Sequence, residues 1–286
     1  MKTNALLTRL AVLVAAITFA TGAAAQSTLE RLKKENAVRI GFANEAPWSF
    51  AQTDGTLSGV DYELASLVFG RLGIGQVEGV LTKFGSLIPG LKASRFDAIV
   101  AGLYVRPARC EQVAFSEPTI AVGDAVVVAA GNPKKITSFK SVADNPALKL
   151  AGVVGAATTQ NAKAAGVTDA QLVMFPDFAS ALAAVKAGRA DGALQTAVTA
   201  ATTVRMANDP TIERALPFEQ AIITGKPSLN FAAFAFRPED KDLLEAFNAE
   251  LVKVLGTKEH QDILAKYGIS ANEIPKGVRT ADVCKP

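Results

Sequence analysis

Phe96-Asp97-Ala98-Ile99-Val100 runs directly into Ala101-Gly102-Leu103-Tyr104, and Arg106-Pro107-Ala108-Arg109-Cys110 follows one residue later. The first five residues form an apolar run that reads as a buried strand. An arginine at the strand-to-helix turn behind it carries five fixed N–H donors and a permanent charge, which suits a bidentate grip on a carboxylate. Together with its neighbours, this stretch implies capture of a small charged solute rather than its transformation.

On either side of this stretch, strand and helix patterns alternate. Residues 38–42 read as a strand, 62–71 as a helix ending before Gly73, 77–81 as a short strand and 87–92 as a short helix. A β-branched run at 125–130 leads into Gly131-Asn132-Pro133, after which the alternation restarts. It continues with strands at 150–154, 172–175 and around 193–194, and with helices at 159–165 and 179–186. A strand at 231–236 and helices at 240–255 and 259–266 complete the series. Alternation of this kind predicts an α/β protein with parallel-rich sheets covered by helices and ligands at the carboxyl ends of strands. The restart after Gly131 predicts two lobes with a return crossing near Gly225-Lys226-Pro227. Lobe 1 is then 26–129 plus 225–286, and lobe 2 is 130–224.

Residues 1–25 read as an export signal rather than part of the fold. Lys2 and Arg9 form a positive start, 10–20 is an apolar stretch too short to span a bilayer comfortably, and Ala23-Ala24-Ala25 supplies a cleavage site. Without a cysteine after the apolar stretch there is no sign of a lipid anchor. A soluble periplasmic protein is therefore expected. Loss of Lys2 and Arg9 lowers the formal charge from +3 to +1, which gives no reason to invoke nucleic acid or an anionic membrane as partner. In an oxidising compartment the two cysteines, Cys110 and Cys284, are most simply a disulfide, with two free thiols as the alternative. Their spacing offers no metal site, and the single histidine, His260, does not supply one. No cofactor is called for. His260, among Lys258, Glu259 and Gln261, reads as solvated, and Lys134-Lys135 as a surface pair.

The chain resembles the periplasmic solute-binding proteins that serve ABC importers for polar amino acids. The resemblance runs through Arg39-Ile40-Gly41-Phe42-Ala43, Gly59-Val60-Asp61-Tyr62-Glu63-Leu64-Ala65, Leu87-Ile88-Pro89-Gly90-Leu91, Phe96-Asp97-Ala98-Ile99, Phe115-Ser116-Glu117-Pro118 and Ala187-Gly188-Arg189-Ala190-Asp191. Within that family it is most similar to the ectoine/hydroxyectoine-binding branch. That likeness rests on Ala43-Asn44-Glu45-Ala46-Pro47-Trp48, Ala101-Gly102-Leu103-Tyr104, Pro107-Ala108-Arg109-Cys110, Ala143-Asp144-Asn145-Pro146, Ala207-Asn208-Asp209-Pro210 and the late Cys284.

The resemblance implies a type II periplasmic binding fold, a hinge, and a cleft holding a small zwitterionic ligand. It also implies an inner-membrane ABC permease as partner and a monomeric protein. It places Arg109 on the ligand carboxylate, Glu45 against the positive end, and Trp48, Phe84 and Tyr104 around the ligand as an aromatic cage. Such a cage holds a shielded cation through ring quadrupoles, at about 0.5–2 kcal/mol per contact. Thr158, in Gly155-Ala156-Ala157-Thr158-Thr159, is placed on the carboxylate at a helix start, with Thr159 a weaker candidate.

One departure is informative. Where amino-acid binders of the family carry an aspartate for the α-ammonium, this chain has Thr196 after Gln195. That disfavours ordinary α-amino acids and favours ectoine or hydroxyectoine. A polar amino acid is the alternative within the class. Outside it stand a periplasmic dehydratase acting on prephenate or arogenate, for which Glu45 has no evident catalytic partner, and a sensor ectodomain.

Overall fold

A computed structural model describes residues 26–223 and 225–285; the expected export signal lies outside them. Ten strands build two five-stranded sheets. In chain order, β1 (Ala37–Phe42), β2 (Gln76–Leu81), β3 (Ala98–Ile99) and β4 (Ala114–Phe115) belong to the first sheet. β5 (Asp124–Ala129), β6 (Leu150–Val153), β7 (Leu172–Phe175), β8 (Gly192–Thr196) and β9 (Ile212–Arg214) form the second, and β10 (Ala235–Phe236) returns to the first. The spatial orders are β2-β1-β3-β10-β4 and β7-β6-β8-β5-β9. In each sheet the strands joined by helices are parallel: Ile40 pairs with Gly79 and Ala98, and Leu150 with Leu172 and Gly192. The strands that enter or leave a sheet by a crossing, β10 and β5, pair antiparallel.

This is the α/β architecture expected, with two corrections at the crossings. The expected boundary kept residues 125–129 in lobe 1, but β5 pairs with β8 and β9 in the second sheet. Its apolar run, Val126-Val127-Val128, is buried on both faces, so composition alone could not assign it to one sheet. The expected strand at 231–236 is two strands. Asn230–Ala232 pairs with Ile120–Val122 in a two-stranded ribbon, and only β10 enters the first sheet. The ribbon joins the two passages of the chain between sheets and forms the hinge.

The first sheet is covered by the helices Val60–Arg71 and Lys241–Val254. Phe247 packs against Phe69, Phe234 and Phe236 at ring distances of 4.9, 5.2 and 5.1 Å. Asp97, buried at the start of β3, accepts the Arg39 backbone N–H at 3.0 Å and pairs with Arg31 at 2.5 Å, which fixes β3 beside β1. In the second lobe Phe139, Val142, Leu150 and Leu194 form a separate core. Buried charge at the hinge is matched by amide and hydroxyl donors. The Asp124 carboxylate accepts from Asn161 and Asn230 at 3.0 Å and from Ser228 at 2.9 Å, while Arg106 donates to Asn161 at 2.9 Å.

Cys110 and Cys284 form a disulfide with Cα atoms 5.8 Å apart. His260 is not solvated. It is fully buried with Ile263 and Leu264 on the inner face of Lys258–Lys266, because i, i+3 and i+4 share one side of a helix. Its Nδ1 accepts the Gly256 N–H at 3.1 Å, and burial lowers its pKa. Lys134 is exposed and pairs with Asp191 at 3.7 Å.

Candidate functional site

The carboxyl ends of the parallel strands from both sheets face each other across a narrow, nearly closed cavity. From the first lobe come Glu45, Phe84, Gly102 and Tyr104; from the second come Thr158, Phe178, Gln195 and Thr196.

Glu45 sits in the loop after β1. Its backbone N–H bonds to the Ser49 carbonyl at 3.1 Å and its carbonyl accepts from Trp48 N–H at 2.9 Å, closing a tight turn. The turn is held from below by the helix start at Val60, whose N–H reaches the Pro47 carbonyl at 2.7 Å. Glu45 is thereby presented to the cavity almost without solvent contact. Burial pushes its pKa up to about 8, opposed by a hydrogen bond from Thr199 and reinforced by the nearby Asp61 carboxylate. Asp61, also buried, is raised to about 7 by the same loss of solvent. Its Oδ2 accepts the Gly102 N–H at 2.7 Å. Gly102 has φ +60, and a Cβ there would lie 2.5 Å from the Trp48 ring, so only glycine fits between the indole and the cavity.

Aromatic faces dominate the rest. Phe84 and Phe178 meet edge to face at 5.7 Å across the cleft. Tyr104 is buried, and desolvation together with Glu45 raises its pKa well above the usual phenol value. Trp48 is close by but does not line the cavity. Its ring lies behind Gly102, edge to face with Tyr104 at 5.9 Å, and its Nε1–H donates to Thr199 Oγ1 at 2.9 Å. The cavity walls therefore contain Phe84, Tyr104 and Phe178, with Trp48 supporting them. Sequence reading missed Phe178. It lies just past the carboxyl end of β7, where ligand-facing residues are expected in such sheets.

Arg109 is buried at the helix Pro107–Cys110, beneath Phe84 at 5.9 Å from the ring centroid. Nη1 donates to the Tyr104 carbonyl at 2.6 Å and Nη2 to the Gly155 carbonyl at 2.8 Å, across the cleft. Burial, with the neighbouring Arg106 charge, lowers its pKa to about 10, so it stays charged at neutral pH. Arg109 lies beside the cavity rather than in its wall, and three of its five N–H groups remain after these two bonds.

Thr158 faces the cavity from the first turn of Ala157–Ala164, and its hydroxyl is buried without a partner. The Gln195 amide oxygen is in the same state. Thr159 instead turns inward to the Val153 carbonyl at 3.4 Å. A buried hydroxyl and amide oxygen facing one cavity both await a hydrogen-bonding ligand. One lobe thus offers a carboxylate and aromatic faces, the other neutral polar groups and the Phe178 ring, and a hinge joins them.

These features define a two-lobed solute-binding protein, and the comparisons place it. Residues 38–270 match the model of the bacterial extracellular solute-binding proteins, family 3, and the chain belongs to that family. A probable amino-acid ABC transporter periplasmic-binding protein of Sinorhizobium fredii is 37% identical over 243 residues, covering 84% of this chain and 80% of the relative. The structure of EhuB in complex with hydroxyectoine superposes with a TM-score of 0.82 at 34% identity, covering 90% of this chain and 98% of that one. An ancestral amino acid-binding protein described as a precursor of cyclohexadienyl dehydratase superposes with a TM-score of 0.73 at 27% identity, covering 84% and 99%. The chain is accordingly the substrate-binding component of an ABC importer of the amino-acid type, and its relatives are transport proteins. Among the described residues no helix is long and apolar enough to cross a membrane.

Proposed function

We propose that this protein captures ectoine, hydroxyectoine or a similar small zwitterion with a shielded cation in the periplasm, after export by its leader, and delivers it as a monomer to an inner-membrane permease. The observation that carries the reading is the placement of charge. Among the described residues Glu45 of the first lobe is the one carboxylate lining the cavity, and the second lobe contributes Thr158, Gln195, Thr196 and Phe178 with no acid. A free α-ammonium would meet aromatic faces and neutral groups where the family's amino-acid binders offer an aspartate. A delocalised or ring-bound cation suits Glu45 together with the faces of Phe84, Tyr104 and Phe178, with Trp48 behind them. Arg109 and Thr158 receive the ligand carboxylate, Arg109 with the N–H groups not used on carbonyls. Contacts to both lobes favour closure about the ribbon. The likeness to the hydroxyectoine complex supports this reading.

A polar amino acid is the second reading, supported by relatives such as the arginine-binding protein 1 of Escherichia coli, 27% identical over 79% of this chain. Dehydratase chemistry is not favoured: proton transfer to a leaving group needs a positioned acid and base, and one cavity carboxylate supplies only one of them. Thermal-shift screening of compatible solutes against polar amino acids tests the assignment. A ligand at 100 times its dissociation constant stabilises by about 2.7 kcal/mol. A shift with an ectoine and none with arginine, histidine or glutamate is expected; the reverse pattern transfers the assignment to amino acids.

A further inference from the structure

Across the cleft, Thr199 Oγ1 accepts the Trp48 indole N–H at 2.9 Å, lies 3.2 Å from Glu45 Oε1 and 3.0 Å from Thr196 Oγ1. Trp48 and Glu45 belong to the first lobe. Thr196 and Thr199 belong to the second, at the end of β8 and in the helix Ala197–Ala207 that follows. We propose that Thr199 is a positioning residue for ligand specificity, whose single hydroxyl orients the Glu45 carboxylate toward a cation and ties it to the Trp48 indole behind the cavity wall only when the lobes meet.

The proposal rests on reading Glu45 as the cation's partner. A hydroxyl has one proton and two lone pairs. An ionised Glu45 can only accept, so the Thr199 proton goes to Glu45 and the lone pairs take the Trp48 N–H and the Thr196 O–H. With Glu45 ionised, every capacity of Thr199 is then used, and the donor order runs Thr196 to Thr199 to Glu45. A second lobe without an acid thereby acts on the acid of the first. The titratable groups facing Glu45 are Asp61 and Tyr104 of its own lobe; the second lobe faces it with Gln195, Thr196, Thr199 and Phe178, all uncharged. No other hydroxyl or amide donates to the Glu45 side chain among the described residues, so loss of Thr199 leaves the Glu45 and Trp48 side chains without these partners.

Trp48 is the one tryptophan, so its indole N–H gives a single nitrogen–proton correlation in an NMR spectrum. That signal, followed between pH 5 and 9 with and without saturating hydroxyectoine, is compared in wild type, Thr199→Val and Thr199→Ser, with Glu45→Gln as control. In wild type the signal should follow a titration that Glu45→Gln abolishes, and hydroxyectoine should shift it. Thr199→Val should lose both responses and weaken hydroxyectoine at least tenfold; Thr199→Ser, which keeps the hydroxyl, should restore both. A wild-type signal that does not titrate, or one that behaves alike in Thr199→Val, overturns the proposal. If hydroxyectoine does not bind wild type, the ligand assignment fails separately, and the ligand-free titration still decides the role of Thr199.

Discussion

Arg109 of the first lobe donates to the Gly155 carbonyl of the second at 2.8 Å, so the residue proposed to hold the ligand carboxylate is itself a bridge across the cleft. On the proposed reading, a guanidinium that holds the lobes together beside the cavity and takes the ligand carboxylate couples binding to closure. Arg109→Lys keeps the charge but lacks the planar fork that serves Tyr104, Gly155 and a ligand at once. Arg109→Ala should weaken ligand binding by at least about 2–3 kcal/mol, as expected when one partner of a buried charged contact is removed, and Arg109→Lys should fall between. Calorimetry reads the difference; near-normal affinity in Arg109→Ala would remove Arg109 from the site.

Glu45 carries a pH prediction. Its pKa rises from 4.5 to about 8 on burial, so between those values the folded ligand-free protein holds a proton that the unfolded chain releases. The stability of the ligand-free protein should therefore fall as pH rises through that window. A cationic ligand favours the carboxylate, so binding at pH 7 should expel protons and tighten as pH rises toward 8. Calorimetry in buffers of different ionisation enthalpy measures the proton count, and Glu45→Gln should reduce it.

His260 acts in the opposite direction. Its folded pKa lies below 6.5, so the unfolded chain binds the extra proton, and stability should fall as pH drops through 6.5. His260→Gln should flatten this acid limb of a melting-temperature profile and leave the Glu45 limb unchanged.

Much of the fold was legible because buried parallel strands write themselves as short apolar runs. The strands Ala98–Ile99 and Leu150–Val153 both fell within the runs expected, the first shorter than its run. The crossings were not legible, since Val126 to Val128 is equally apolar whichever sheet it joins, and pairing across the chain leaves no local signature. His260 was misread from its charged sequence neighbours, although its spacing to Ile263 and Leu264 marks the buried face. In the site, Glu45, Phe84, Tyr104 and Thr158, read from the sequence as ligand-facing, line one cavity. Trp48 is one layer back because Gly102 lies between it and the cavity, and Phe178 was missed because a phenylalanine at a helix start reads as core.

Gly102 gives a steric test. A methyl group there would meet the Trp48 ring at 2.5 Å on a backbone with φ +60. Gly102→Ala should destabilise the fold by about 1–3 kcal/mol and alter Trp48 fluorescence. An unchanged melting temperature would show that the indole can move aside.

The Cys110–Cys284 bridge closes a loop of 174 residues, which in the chain-entropy account contributes up to about 5 kcal/mol. The tail is also held by the Thr280 hydroxyl on the Ser116 carbonyl and its N–H on Glu117. Cys284→Ser should lower the melting temperature without abolishing folding, and a reducing agent should do the same to wild type only.

The most direct test of the account is a titration of Trp48 fluorescence with ectoine, hydroxyectoine, arginine, histidine and glutamate. Trp48 bridges to the second lobe through Thr199, so its emission should report closure. Saturable responses to the ectoines, with weak or absent responses to the amino acids, are predicted. Saturable binding of an amino acid with no response to either ectoine would contradict the account.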